Sequence, residues 1–160
     1  MIIPHLEPEQ LFAVLGDVEQ RVKTDPRWVS PRILEKKGES SVLTFETAKP
    51  PIPMVSAREV VVECFSRENG FGPGQHAFIQ VNTEHAEAPI KNGLGAKVRA
   101  NCIVAGNKFE KNPTGKGTLV TELRVMQTGG NMPAVMIGKM STSLPQKSVE
   151  ANKKMISVAA

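Results

Sequence analysis

Aromatic rings are scarce in this chain: no tyrosine, one tryptophan and six phenylalanines among 160 residues. Sequence-tolerant binding of single-stranded nucleic acid needs such rings as stacking platforms, so that class of partner is poorly served. There are only two cysteines, Cys64 and Cys102. They lack metal-ligand spacing and read as reduced, buried thiols of a cytoplasmic protein. No apolar run is long enough to cross a bilayer. Met1–Gln10 has neither the basic start nor the apolar stretch of a signal peptide, and no prenylation cysteine stands at the end. The sequence holds no G-x-S-x-G, H-E-x-x-H or P-loop, and His5, His76 and His85 have no motif partner. No enzyme chemistry, metal or cofactor is therefore expected. Charge of one sign is not concentrated either. Twenty basic residues against sixteen acidic ones leave +4 spread along the chain, enough for weak attraction to an anionic membrane and not for a nucleic-acid site.

The chain does carry clear periodicity. Leu11, Leu15, Val18 and Val22 predict a helix over Leu6–Lys23, with Pro8 in its first turn and Thr24-Asp25-Pro26 as its stop. The period then changes to two. Arg32–Lys37 and Ser41–Ala48 form a predicted hairpin through Gly38-Glu39-Ser40. Arg58–Arg67, Gln75–Thr83, Ala96–Ala105 and Gly117–Gln127 each alternate apolar and polar residues, the pattern of a one-sided antiparallel sheet. The expected inward residues include Arg58, Val60, Val62 and Cys64 on one strand, Val98, Ala100 and Cys102 on another, and Leu123 on the last. Leu43 and Phe45 would turn Glu46 outward, and His76 is expected on a solvated face. After Gly129-Gly130, Asn131 offers an N-cap and Pro133 lies in the first turn of a long helix to about Ser157. Met132, Met136, Met140 and Leu144 recur every four residues, continued by Ala151 and Met155, and make one apolar face. That face either fills a core gap or lies over a cavity. The order of helix, about six antiparallel strands and long helix is an α+β layout, with the helices covering the sheet.

Three segments resemble the START family (steroidogenic acute regulatory protein-related lipid transfer). They are Pro50-Pro51-Ile52-Pro53-Met54-Val55-Ser56-Ala57-Arg58-Glu59-Val60-Val61, Val98-Arg99-Ala100, and the helix entry Gly129-Gly130-Asn131-Met132-Pro133, with Pro145 matching a proline midway along that helix. The resemblance implies the helix-grip fold, a curved sheet around a tunnel for one lipid. The C-terminal helix and the loops Lys49–Ala57 and Glu84–Gly95 would form the lid. Residues 1–160 would be a single START-like lipid-binding domain without the family's usual first helix and first strands. The missing strands would expose a sheet edge and leave a homodimer open.

The same resemblance gives the inward residues their role. Val60, Val62, Cys64, Val98, Ala100, Cys102, Leu123, Met132, Met136, Met140 and Leu144 would touch lipid, and Arg58 would meet a headgroup or pair with a loop acid. The acid of sterol-binding members falls near Glu46, against the outward reading above, and their arginine falls at Cys64. Without tyrosine a choline cage is hard to build, which favours a sterol, a fatty acyl chain or another weakly polar ligand over phosphatidylcholine. The implied function is lipid binding and transfer. Lys139, Lys147, Lys153 and Lys154 would aid transient contact with an anionic membrane. A regulatory module with a collapsed tunnel, or a small helix-grip enzyme, are the alternatives.

Overall fold

A computed structural model of the chain describes residues 1–39, 41–48, 56–90 and 97–159. Its elements are β1 (Ile2–Ile3), α1 (Pro8–Leu15), α2 (Val18–Thr24), β2 (Arg32–Lys37), β3 (Ser41–Ala48), β4 (Arg58–Gly72), β5 (Gln75–Asn82), β6 (Val98–Arg99), β7 (Asn101–Lys111), β8 (Thr118–Gln127) and α3 (Ala134–Ala159). The described strands form one sheet in the order β1-β8-β7-β5-β4-β3-β2, with β6 beside β4. All pairs are antiparallel except β4 with β6. The expected α+β helix-grip layout is present. The strand count rises from about six to eight through the two-residue strands β1 and β6. The single helix expected over Leu6–Lys23 is two helices. Gly16 ends α1, and the Asp17 carboxylate caps α2 by accepting from the N–H groups of Glu19 (2.8 Å) and Gln20 (3.1 Å).

One register row shows which face is concave: Val42 opposes Cys64, Cys64 opposes Gln80, Gln80 opposes Ala105, and Ala105 opposes Arg124. Val60, Val62, Phe78, Phe109 and Val120 share this face. With Leu11 and Leu15 of α1 and Met155 of α3 they form the buried core. A register shift in β7 between Cys102 and Val104 places Cys102 and Ala105 on the same side. The inward residues of β8 are then Val120, Glu122, Arg124 and Met126. Leu123, expected inside, is 58% exposed on the outer face. Strand β5 departs in the same way. His76, expected to be solvated, shares the parity of Phe78 and is buried against Phe12 of α1, with ring centroids 5.0 Å apart. In both strands a helix covers inward polar groups, Phe12 of α1 packing on His76 and Ser148 of α3 bonding to Glu122, and this outweighs simple alternation.

Helix α3 divides into two environments. Ser148, Ala151, Asn152 and Met155 are buried, and the helix packs chiefly on α1. The same stripe continues toward the N-terminus through Leu144 and Ile137, yet Ile137 is 43% exposed and Leu144, expected to face inward, is 37% exposed. Met132, Met136 and Met140 are half-buried. Pro145 lies inside the helix and has no N–H for the fourth carbonyl before it. Just upstream, Ser141 donates back to the Ile137 carbonyl (2.9 Å) and Thr142 to that of Lys139 (3.0 Å).

Candidate functional site

The interior of the sheet is not wholly apolar. Thr44 and Glu46 of β3, Cys64 of β4 and Gln80 of β5 converge on it, because each shares its strand's inward parity. The Glu46 Oε1 accepts from the Thr44 hydroxyl (2.8 Å) and the Gln80 amide (3.2 Å), and Gln80 Nε2 also lies 3.5 Å from Cys64 Sγ. Glu46 is only 5% exposed. Its second oxygen, Oε2, has no hydrogen-bond partner among the described residues. Glu46 thus points inward, as the START resemblance implies, and the outward reading from Leu43 and Phe45 is overturned. Those two residues sit on the convex face. There Arg32 and Arg99 lie over the Phe45 ring, 5.1 and 5.9 Å from its centroid.

Burial pushes the Glu46 carboxyl above its ordinary range, and the Thr44 bond and the Arg21 charge offset only part of that. Burial first, and Glu46 next, push the Cys64 thiol up to about 12, so it stays protonated and is no nucleophile. Arg21 is held above the Phe78 ring, 4.3 Å from its centroid. It donates to the Leu15 carbonyl (2.9 Å) and lies 3.6 Å from Asp25. Burial lowers its pKa to about 10, and it remains a cation at neutral pH.

Two voids of about 10 Å³ each adjoin this cluster, each with room for about one water. Trp28, Glu46 and Gln80 border both. One extends toward Val18, Arg21, Cys64 and Phe78, and the other toward Val60, Val62, Cys102, Ala105, Arg124 and Met126. These two voids flank a small polar centre, with mainly apolar side chains on either side among the described residues. Among the described residues, no group of three His, Cys, Asp or Glu side chains is placed to hold a metal.

A second polar group ties α3 to the sheet. Ser148 Oγ donates to Glu122 Oε2 (2.5 Å) and accepts from Arg27 Nη1 (2.9 Å). Arg27 in turn grips Asp25 through bonds of 2.5 to 3.0 Å, and Arg124 donates to Glu122 Oε1 (3.2 Å). Burial alone would raise the Asp25 carboxyl, but the Arg27 bonds and charge, helped by Arg21, hold it below its ordinary range. This chain of charges ties the middle of α3 to the loop after α2 and to β8.

The expected site residues fall into three groups. Val60, Val62, Cys64, Cys102 and Glu46 border the voids, and Ala100 is buried nearby. Met132, Met136 and Met140 lie half-buried along α3, and Val98 is half-buried beside Gly130. Leu123 turns away from the interior, Leu144 lies on the inward stripe of α3 but is left uncovered, and Arg58 does not reach the interior. Its guanidinium donates to the carbonyls of Ser56 (2.5 Å), Thr128 (3.0 Å) and Gly129 (3.4 Å), pinning the entry to α3. The proline-rich motif and the second loop fall partly outside the described residues, at 49–55 and 91–96. Sequence reasoning missed Thr44, Gln80, Arg21, Arg124 and Met126. The available signal was Phe78: a large ring between His76 and Gln80 marks their face as the inner one.

No family model matches the sequence, and no curated protein matches it. Solved structures do resemble the fold. Human STARD10 superposes with a TM-score of 0.78 at 19% identity, over 98% of this chain and 61% of that one. Human StAR-related lipid transfer protein 5 gives 0.77 at 18% identity, over 99% and 74%. A STAR-related lipid transfer protein from Xanthomonas axonopodis gives 0.66 at 18% identity, over 92% and 77%. The chain thus spans 61% of the STARD10 structure, and its fold is the START helix-grip fold.

Proposed function

We propose that the protein binds one lipid in the interior of its sheet and transfers it between membranes. The observation that carries this reading is the Glu46–Gln80 centre. A carboxyl oxygen without a partner among the described residues is buried beside Trp28, between two voids whose walls are otherwise mainly apolar. Such an oxygen suits a single hydroxyl or another hydrogen-bond donor on a weakly polar headgroup. Apolar tails would gain about 0.8 kcal/mol for each methylene removed from water. The absence of tyrosine leaves a choline cage without rings, so a sterol or a fatty acyl ligand fits better than phosphatidylcholine. The voids hold no lipid as they stand. Loading requires the half-buried methionine segment of α3 to move out while its C-terminal half stays seated. Contact of that segment with an anionic membrane, aided by the exposed lysines of α3, is the exchange step.

The small size of the voids specifically favours a second reading, an interaction module with a filled interior. One experiment separates the two. The purified protein is mixed with vesicles containing cholesterol, oleic acid and phosphatidylcholine, recovered, and weighed by native mass spectrometry. One sterol or fatty acid per chain is the expected result. Glu46→Leu should reduce retention of a hydroxyl-bearing lipid by about tenfold, the loss of one hydrogen bond to a charged group. Failure to retain any lipid supports the module. Retention of phosphatidylcholine overturns the assignment of the headgroup.

A further inference from the structure

Arg58 stands apart from the other arginines of the sheet and its cover. Arg21, Arg27, Arg99 and Arg124 each lie within 4.0 Å of a carboxylate. Arg58 meets none among the described residues, and the residues outside that set include no Asp or Glu. It opens β4 on the inward side, where its ladder neighbours are Ala48 of β3 and Val98 of β6. The adjacent carboxylate, Glu59, is on the convex face and is taken by Lys97 (3.5 Å) and Arg99 (4.0 Å). The Arg58 guanidinium is thus held by neutral acceptors, the carbonyls of Ser56, Thr128 and Gly129. Three of its five N–H groups are used in this way. The Gly129 bond, at 3.4 Å, is long. The side chain is half-buried at the rim, so an anion can reach it from solvent. Two of the three carbonyls belong to the turn into α3. There Gly129 and Gly130 both have φ of +62°, a region that glycine enters without strain. Among the described residues, Arg58 makes the only side-chain hydrogen bonds to residues 128–132. Beyond that turn, residues 134–144 of α3 are half-buried or exposed.

We propose that Arg58 is a recognition site for a phosphate group, and that phosphate bound there replaces the carbonyls of the turn and unpins the entry to α3. A phosphate oxygen carries charge. Bonds from a guanidinium to such an oxygen are about twice as strong as bonds to a neutral carbonyl, and they form in pairs. The edge of Arg58 that faces the turn presents Nε to Thr128 and Nη2 to Gly129, which is one bidentate edge of the fork. Its long bond to Gly129 is the first to yield. Once both carbonyls are released, Gly129 and Gly130 let the first half of α3 move while Met155 keeps the second half in the core. For lipid transfer, a consequence that rests on the function proposed above, membrane phosphates would dock the domain at Arg58 and open it in the same step. The phosphate site itself needs no cargo.

Nuclear magnetic resonance on the intact, isotope-labelled protein tests this. Inorganic phosphate at millimolar concentration should shift the Arg58 Nε–H resonance. It should also speed amide exchange across residues 129–137 by about tenfold, the loss of roughly one hydrogen bond. Chloride at the same ionic strength should do neither. Arg58→Lys keeps the charge and loses the fork, so it should abolish the effect of phosphate on exchange. In a flotation assay the same variant should bind phosphatidylcholine vesicles containing phosphatidic acid about tenfold more weakly than the parent does. Phosphatidic acid that strengthens vesicle binding of the parent identifies the ligand as a lipid headgroup. Equal binding to vesicles with and without it, beside a response to inorganic phosphate, identifies free phosphate. A phosphate titration that moves the Arg58 resonance no more than chloride overturns the proposal. So does a shift without faster exchange at residues 129–137, or an Arg58→Lys protein whose exchange still responds to phosphate. A protein that retains no lipid yet gives these responses removes the transfer function and leaves the site standing.

Discussion

Replacing Glu46 by glutamine should make the protein more stable at neutral pH, although it removes a buried acid with two hydrogen bonds. The amide oxygen of the new side chain can accept from Thr44 and Gln80 as Oε1 does now. What disappears is a buried acid whose ionised form is penalised by burial, with one oxygen unpartnered among the described residues. Desolvation raises the Glu46 pKa above its ordinary value of 4.5, more than the Thr44 bond and the Arg21 charge lower it. A raised carboxyl pKa in the folded state means that ionisation opposes folding. The penalty is full at pH values above the folded pKa. It shrinks as pH falls through that value, and it is gone below the unfolded value of 4.5, where both states are protonated. Arg21 loses a distant anion but keeps Asp25 at 3.6 Å, so the opposing term is small. Each pH unit by which burial raises the folded pKa removes about 1.4 kcal/mol of stability above that pKa. A net gain of about 1–2 kcal/mol is expected at pH 7, or about 3–6 °C in Tm for a domain of this size. Urea unfolding of parent and Glu46→Gln at pH 7, 6, 5 and 4 measures it. The advantage should be largest at pH 7 and vanish toward pH 4. A glutamine variant less stable than the parent at pH 7, or a difference that does not change with pH, would refute the reasoning.

Three further outcomes follow from other parts of the molecule. Gly129 has φ of +62°, and a Cβ there would lie 2.4 Å from the Arg99 carbonyl oxygen. Gly129→Ala should therefore cost at least about 1–2 kcal/mol, read as a lowered midpoint in urea. Ser148→Ala removes the hydroxyl that joins Arg27 to Glu122. It should destabilise by about 1–3 kcal/mol and speed lipid uptake from vesicles; slower uptake would disprove its role as a latch. Lys139, Lys147, Lys153 and Lys154 are all exposed on α3, and changing all four to glutamine should slow transfer to anionic vesicles far more than to neutral ones. Equal transfer to both would remove membrane attraction from the mechanism.

The layout was legible because it rests on periodicity. The change from period four to period two and back marks α1, the strands and α3, and Gly129-Gly130 marks the entry to the last helix. The faces were less legible wherever the interior is polar. Val60, Val62 and Cys64 read correctly because β4 carries its carboxylates outward. Strand β8 misled because Glu122 and Arg124 point inward, where Ser148 and Arg27 meet Glu122 and Glu122 accepts from Arg124. Those partners are distant in sequence, and no local pattern shows them. Glu46 misled for a related reason: the arginines of the convex face cover Phe45, so an apolar residue sits outside and a carboxylate inside. The shift in β7 is also invisible to an alternation count, since one extra residue exchanges the faces beyond it.

The two environments of α3 imply a gradient of local stability within one helix. Amides near Met155 share the fate of the core and should exchange with solvent only through near-global unfolding. Those upstream of Pro145 are held by little more than the helix itself, so small, frequent openings should release them. The missing N–H of Pro145 sets the boundary, because fraying that begins at Ala134 meets the weakest rung of the ladder there and can stop. Hydrogen exchange along α3 should therefore climb as a single step and not as a slope. The domain can then open its interior many times for each time it unfolds.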